Sequence, residues 1–150
     1  MTLENLLAIH RLQAFEATAS GVARLLASAA RNLADAGLEE LSNDNRFDAA
    51  YKTIMQCAMI GLWANGYRPV TSQPGHHQTA LQALPKTLGT ASEDVIVLDA
   101  LRRQRNLNDY EGDPVTDAAV RECIVQAERL LVHTRGWLQG HRPDLLAEHP

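Results

Sequence analysis

Arg102, Arg103, Arg105, Asn106, Asp109 and Tyr110 stand within one eleven-residue run, Leu101 to Glu111, the densest chemistry in the chain. On a helix, residues three, four and seven apart share a face, so Arg102, Arg105, Asn106 and Asp109 form one polar stripe, with Arg103 and Tyr110 flanking it. Such a stripe suits a phosphate, because the guanidinium is a fixed fork of donors that stays charged at physiological pH. The same spacing also fits a purely structural role. Asp99 with Arg103, and Arg105 with Asp109, are i,i+4 pairs, and cations in a last helical turn complement the helix dipole.

The adjacent His76 and His77 are a second candidate. Neighbours on a helix point in different directions, so they cannot grip one metal as an i,i+4 pair does, and no thiol or carboxylate stands beside them. No metal site is expected. Gly75-His76-His77 opens a helix, whose N-terminus attracts anions, so contact with phosphate or orientation of the arginine stripe is the role their position suggests. His10, His133, His141 and His149 fall on polar faces or in the tail and are assigned no chemistry. The chain carries no phosphate-cradling glycine loop, dinucleotide fingerprint or zinc-protease motif, and no serine sits in a nucleophile elbow.

These residues need a scaffold, and the composition points to helices. The 150 residues are 45% hydrophobic and 21% charged but only 5% aromatic, with alanine and leucine dominating the apolar set. One domain is expected at this length. A net charge of −4 argues against non-specific coating of duplex DNA, which needs a broad basic surface. Cys57 and Cys123 lie inside apolar helical patterns without paired spacing and are expected to be buried thiols. No basic leader precedes a long apolar segment and no stretch reaches a membrane span, so a soluble cytoplasmic protein without membrane association is expected.

Apolar periodicity predicts a short helix from Leu3 to about Glu16, capped by Thr2 and interrupted at Ser20-Gly21. A second runs from Val22 to Gly37. The third, capped by Ser42 or Asp44, carries Phe47, Tyr51, Ile54, Met55, Ala58 and Leu62 to Asn65-Gly66 and forms the centre of the core. Its Tyr51, Met55, Met59 and Trp63 read as packing. Tyr67 to Gly75 reads as a loop. A short helix through Leu81, Leu84 and Leu88 is bent by Pro85 and closed by Gly89. Thr90 and Glu93 have capping-box spacing for the helix that ends in the arginine stripe. Asp113 and Pro114 then open a last helix, lined by Val120, Cys123, Ala127, Leu131 and Leu138, that stops near Gly140 and Pro143. No strand is convincing; Val95-Ile96-Val97-Leu98 is β-like but isolated. The expected fold is all-α: an antiparallel four- to five-helix bundle over 22–138, with an N-terminal extension at 1–18 and a tail at 139–150.

The succession of a long helix, Arg46-Phe47-Asp48-Ala49-Ala50-Tyr51, Asn65-Gly66-Tyr67-Arg68, Gly75-His76-His77 and Arg105-Asn106-Leu107-Asn108-Asp109-Tyr110 resembles the HEPN family of small, all-helical, nucleotide- and RNA-associated domains. The resemblance covers roughly Val22 to Leu138, and the Arg-Asn step is its most specific part. It implies a homodimer whose arginine-bearing ends meet in a shared cleft. It also implies metal-independent RNA cleavage, with arginine on the phosphate and a histidine a few residues later moving the proton of the ribose hydroxyl. Here Arg105 and Asn106 match, but Tyr110 stands where active members have histidine. A phenol titrating near 10 is a poorer proton acceptor at neutral pH than an imidazole.

The resemblance therefore implies an RNA- or nucleotide-binding protein, an atypical endoribonuclease weakened by Tyr110, within a defence or toxin–antitoxin system. In it Arg105 binds phosphate, Asn106 orients substrate or arginine, Asp109 positions Arg105, and Tyr110 hydrogen-bonds or stacks, with Arg102, Arg103, His76 and His77 supporting; no cofactor is implied. The alternative is an interaction subunit of a minimal nucleotidyltransferase, with Tyr110 a target for nucleotide attachment.

Overall fold

The computed structural model describes residues 2–146. Its elements are α1 (Leu3–Ala8), β1 (Leu12–Ala14), α2 (Ala19–Ala36), α3 (Asn43–Ala64), β2 (Tyr67–Pro69), α4 (His76–Gln82), α5 (Leu84–Thr87), α6 (Ser92–Glu111) and α7 (Asp117–His141), followed by a 3-10 turn, Pro143–Leu146. The fold is an all-α bundle carrying one two-stranded ribbon.

Helix α3 is the axis of the core. Phe47, Ala50, Tyr51, Ile54, Cys57, Ala58, Ile60 and Leu62 are all buried along it, which requires neighbours on several sides. Arg46 donates to the Ala36 carbonyl at 2.8 Å, Thr53 to the Ala29 carbonyl at 2.8 Å and Gln56 to the Ser28 hydroxyl at 2.8 Å. These pairs run in opposite senses along the two chains, so α2 and α3 are antiparallel. Contacts to α7 run in the same sense: Asn43 with Asp117 at 2.8 Å, Cys123 with the Phe47 carbonyl at 3.8 Å, and Arg142, just beyond α7, with the Ala64 carbonyl at 2.6 Å. Thus α3 and α7 are parallel, as the second and fourth members of an up-down-up-down bundle are.

The link between α3 and α6 carries the sites that matter. Gly61 lets this crossover approach, because a Cβ there would stand 2.8 Å from Thr87 Oγ1 and 2.9 Å from Leu88 Cγ. Asn65 ties the same region together, donating to the carbonyls of Gly61 at 2.8 Å and Thr87 at 3.1 Å. His133 of α7 holds the next residue, with Nε2 2.6 Å from the Leu88 carbonyl.

Several boundaries differ from those the pattern predicts. The first helix stops at Ala8, not near Glu16: His10 adopts a left-handed φ of 62°, and the chain turns into β1, which pairs with β2 in the register Leu12↔Pro69, Gln13↔Arg68, Ala14↔Tyr67. Two strands thus exist where none was convincing; three residues are too few for an alternating pattern to register, and burying Leu12 fixes the pairing. Ser20-Gly21 lies inside the first turn of α2, since the Thr18 side chain caps it through the Gly21 N–H at 3.0 Å. Thr90 and Glu93 form no capping box: Ala91 occupies the cap of α6 without a side-chain bond. Asp113 and Pro114 precede rather than open α7, whose cap is Thr116, bonded to the Ala119 N–H at 3.1 Å. Gly140 is helical, and the chain beyond it, expected to be a tail, folds back to bury Leu145; His149 lies outside the described residues. Cys57 and Cys123 are free and buried, and burial pushes both thiols up to about 12. No helix is long and apolar enough to cross a membrane among the described residues.

Candidate functional site

Tyr51 from α3, His77 from the first turn of α4, and Arg105 with Arg102 from α6 converge on one half-buried surface. Each arrives for a local reason. Tyr51 lies on the buried face of α3 and is 2% exposed, so its ring packs inward and its hydroxyl is left to find a partner at the edge of the core. His77 is placed by Gly75, whose φ of 82° turns the chain into α4 and is a conformation glycine adopts without a steric cost. Arg102 and Arg105 sit on the side of α6 next to its buried face, where Leu98 and Leu101 are packed.

The Tyr51 hydroxyl is 3.3 Å from His77 Nδ1, with ring centroids 6.0 Å apart. The Arg105 guanidinium carbon stands over the Tyr51 ring, 5.4 Å from its centroid, in cation–π range. Arg105 Nε is 3.1 Å from Asp109 Oδ2 and 3.7 Å from Asp48 Oδ1. That nitrogen is sealed from solvent, yet directs its N–H at neither carboxylate with hydrogen-bond geometry. Charge and the aromatic ring therefore hold Arg105. Arg102 donates to Asp99 at 2.8 Å, and Asp99 also attracts the exposed Arg103 at 3.6 Å. His76 meets His77 edge-on at 4.7 Å.

Burial gives the pair Tyr51 and His77 its electrostatic character. Desolvation pushes the Tyr51 phenol up to about 12, against the pull of Arg105 and Arg102, so it keeps its proton at any physiological pH. Desolvation also lowers His77 below the ordinary imidazole value, and His76, Arg105 and Arg102 lower it further. His77 is thus a neutral imidazole beside two arginines at pH 7. When Nδ1 accepts from the phenol, Nε2–H is a donor for a phosphate oxygen; when Nδ1–H donates to the phenol oxygen, Nε2 is free to take a proton.

The structure therefore brings together Arg102, Arg105, Asp109, His76 and His77 from the sequence-based set. Asn106 lies half-buried on the same helix. Arg103 points outward, and Tyr110 is 81% exposed near the end of α6. The i,i+4 pairs that a structural reading requires, Arg103 with Asp99 and Arg105 with Asp109, are both formed. Tyr51, Asp48 and Asp99 belong to the site as well. Tyr51 reads as core because it is core; the one available signal was its i,i+3 spacing from Asp48, which puts a carboxylate and a phenol on one helical face. Two grooves of about 540 Å³ lie elsewhere, one between α6 and α7 around Leu98 and Leu130, one around Phe15 and Trp63. No cluster of three or more histidine, cysteine or acidic side chains is arranged to hold a metal among the described residues. Comparison with known protein families, curated proteins and solved structures finds no match for this chain.

Proposed function

We propose that this chain is a HEPN-like protein that binds the phosphate of RNA or of a nucleotide at the cluster formed by Arg105, Arg102 and His77. The observation that carries this reading is the 3.3 Å contact of Tyr51 with His77 beneath Arg105. A neutral imidazole beside a guanidinium is the pair that hydroxyl-driven phosphodiester cleavage requires, one to take the 2′ proton and one to hold the phosphate charge. Here the imidazole comes from α4, in place of the histidine that Tyr110 displaces on α6. Cleavage by this route leaves a cyclic phosphate and a free 5′ hydroxyl and needs no metal. The family resemblance adds a homodimer, a cytoplasmic setting and a defence or toxin–antitoxin role to the proposal.

The test is one gel experiment. The protein, Arg105→Ala and His77→Gln are incubated with mixed cellular RNA in chelator and run in native and denaturing lanes. Cleavage lost in both variants supports an endoribonuclease; a shift without cleavage, lost in Arg105→Ala, supports a binding protein. The absence of both cleavage and a shift would sink the reading.

The exposure of Tyr110 supports a second reading, an interaction subunit for a minimal nucleotidyltransferase. A phenol held clear of the surface is accessible to nucleotide attachment. Co-expression with such a transferase should then add a nucleotide-sized mass that Tyr110→Phe abolishes, and an unmodified protein would count against it.

A further inference from the structure

Helix α6 rests on α3, α4 and α5, and α7 on α2 and α3, but neither packs closely on the other. An ion pair of Asp94 with Arg129 at 3.6 Å spans the gap between them, and a groove of about 540 Å³ is left there, a volume that takes a small molecule. Leu98 and Leu130, both buried, supply its apolar lining. Two polar side chains in the same lining are more than nine-tenths buried. Thr90 is 9% exposed, and its hydroxyl oxygen is sealed from solvent with no hydrogen-bond partner in the fold. Gln126 is 8% exposed, and its Nε2 donates to Glu122 at 3.0 Å, which leaves Oε1 to accept. A buried hydroxyl without a partner costs stability, so its place in the lining of an open groove points to a ligand that supplies the partner.

The lining presents acceptors, and this decides what fits. His133 directs Nε2 at the Leu88 carbonyl, 2.6 Å away; a carbonyl only accepts, so Nε2 carries the proton and Nδ1 of the neutral ring is an acceptor. Gln126 Oε1 is a second acceptor, and the carboxylates of Asp94 and Glu128 add negative charge. Arg129 is the one arginine or lysine in the lining, and Asp94 engages it. A ligand matched to these groups donates hydrogen bonds, carries positive charge and has an apolar stem to lie on Leu98 and Leu130. We propose that this groove binds a linear aliphatic polyamine. Length argues for more than one nitrogen: Gln126 and His133 are seven residues apart on α7, roughly 10.5 Å along its axis, and an extended triamine such as spermidine spans about 11 Å by ordinary bond lengths. Its end nitrogens serve Gln126 and His133, its methylenes cover the leucines, and an N–H gives the Thr90 oxygen its donor. A fatty carboxylate has the same stem but brings acceptors and negative charge to a lining that already carries both.

Arg102, Arg105 and His77 take no part in this groove, so the amine site stands or falls independently of the phosphate reading.

Isothermal titration calorimetry of the full chain, free of RNA, tests it with spermidine as the probe. The expected result is one saturable site that binds spermidine about tenfold more tightly than the shorter butane-1,4-diamine. Thr90→Val should weaken spermidine binding about tenfold, yet unfold at no lower urea concentration than the parent, because a methyl group replaces an unpaired hydroxyl of the same shape. Asp94→Asn/Glu128→Gln should weaken binding about tenfold or more. Glu39→Gln/Glu40→Gln makes the same change of charge on the exposed turn before α3 and should leave binding within twofold. No saturable binding up to about 1 mM spermidine, an affinity untouched by Thr90→Val, or an equal loss in the Glu39 and Glu40 variant, the mark of diffuse attraction to an acidic protein, would overturn the proposal. Octanoate bound as tightly as spermidine would overturn it in favour of a fatty carboxylate.

Discussion

The hydroxyl of Tyr51, a residue 2% exposed, lies 3.3 Å from Nδ1 of His77, a residue on a different helix. Core and site are joined at this contact: the ring packs, and the oxygen at its tip orients an imidazole. Tyr51→Phe keeps the packing and removes the orienting group. It should cost about 1 kcal/mol of stability, the net worth of one such hydrogen bond, and lower any RNA cleavage more than RNA affinity. Urea unfolding with a parallel kcat and Kd comparison checks both. Equal losses in kcat and affinity would contradict an orienting role.

Arg105 and Tyr110 are five residues apart and should behave oppositely. Arg105 stands over Tyr51 between two carboxylates, whereas Tyr110 projects into solvent. Arg105→Lys loses the planar fork and should weaken RNA or nucleotide binding about tenfold or more. Tyr110→Phe should leave it within twofold. Fluorescence anisotropy with a labelled oligoribonucleotide measures both, and a Tyr110→Phe defect as large as that of Arg105→Lys would relocate the site to the end of α6.

Stability should decline on the acid side of neutrality. His77 is lowered by burial and by its cationic neighbours, so the unfolded chain takes up a proton near pH 6.5 before the folded chain does. The folded state is therefore fully favoured above about pH 6.5 and loses stability as pH falls toward the lowered value. Urea midpoints measured from pH 7.5 to 5 should fall, and His77→Gln should flatten that slope. A slope unchanged in the variant would show that other groups carry it.

Close packing at Gly61 should be intolerant of a single methyl group. An alanine Cβ would meet Thr87 Oγ1 at 2.8 Å and Leu88 Cγ at 2.9 Å. Both belong to the crossover and are buried, so relief requires moving α5 rather than rotating a free side chain. Gly61→Ala should destabilise by about 1–3 kcal/mol. A denaturation midpoint at or above that of the parent would refute the close approach.

How much of this was legible in the residues differs from element to element. The long helices were, because Val22, Leu26 and Ala29 or Val120, Cys123, Ala127 and Leu131 repeat at helical spacing and are buried as that spacing requires. The β1–β2 ribbon was not, since three residues cannot display a period and its pairing spans more than fifty positions. The caps of α6 and α7 are not legible, because turn residues abound on both sides of each boundary and only backbone geometry selects among them. Within the site, the arginine stripe could be read from one helix. Its meeting with His77 could not, because that depends on where α4 docks, and the double reading of Tyr51 as both packing and chemistry has no counterpart in composition.

Arg11 donates to the Pro74 carbonyl at 2.9 Å, and Val70 donates back to the Arg11 carbonyl at 3.0 Å, so the turn that presents His76 and His77 is fastened to the residue that leads into the ribbon's first strand. The Arg11 to Pro74 contact closes a loop of 63 residues. Loops of that size form late relative to local helices, because their ends must find each other first. The order of assembly is therefore built into the chain: α2 and α3 can pair while the histidine turn is still unshaped, and the surface that holds His77 against Tyr51 is completed only when the beginning of the polypeptide returns to lock it.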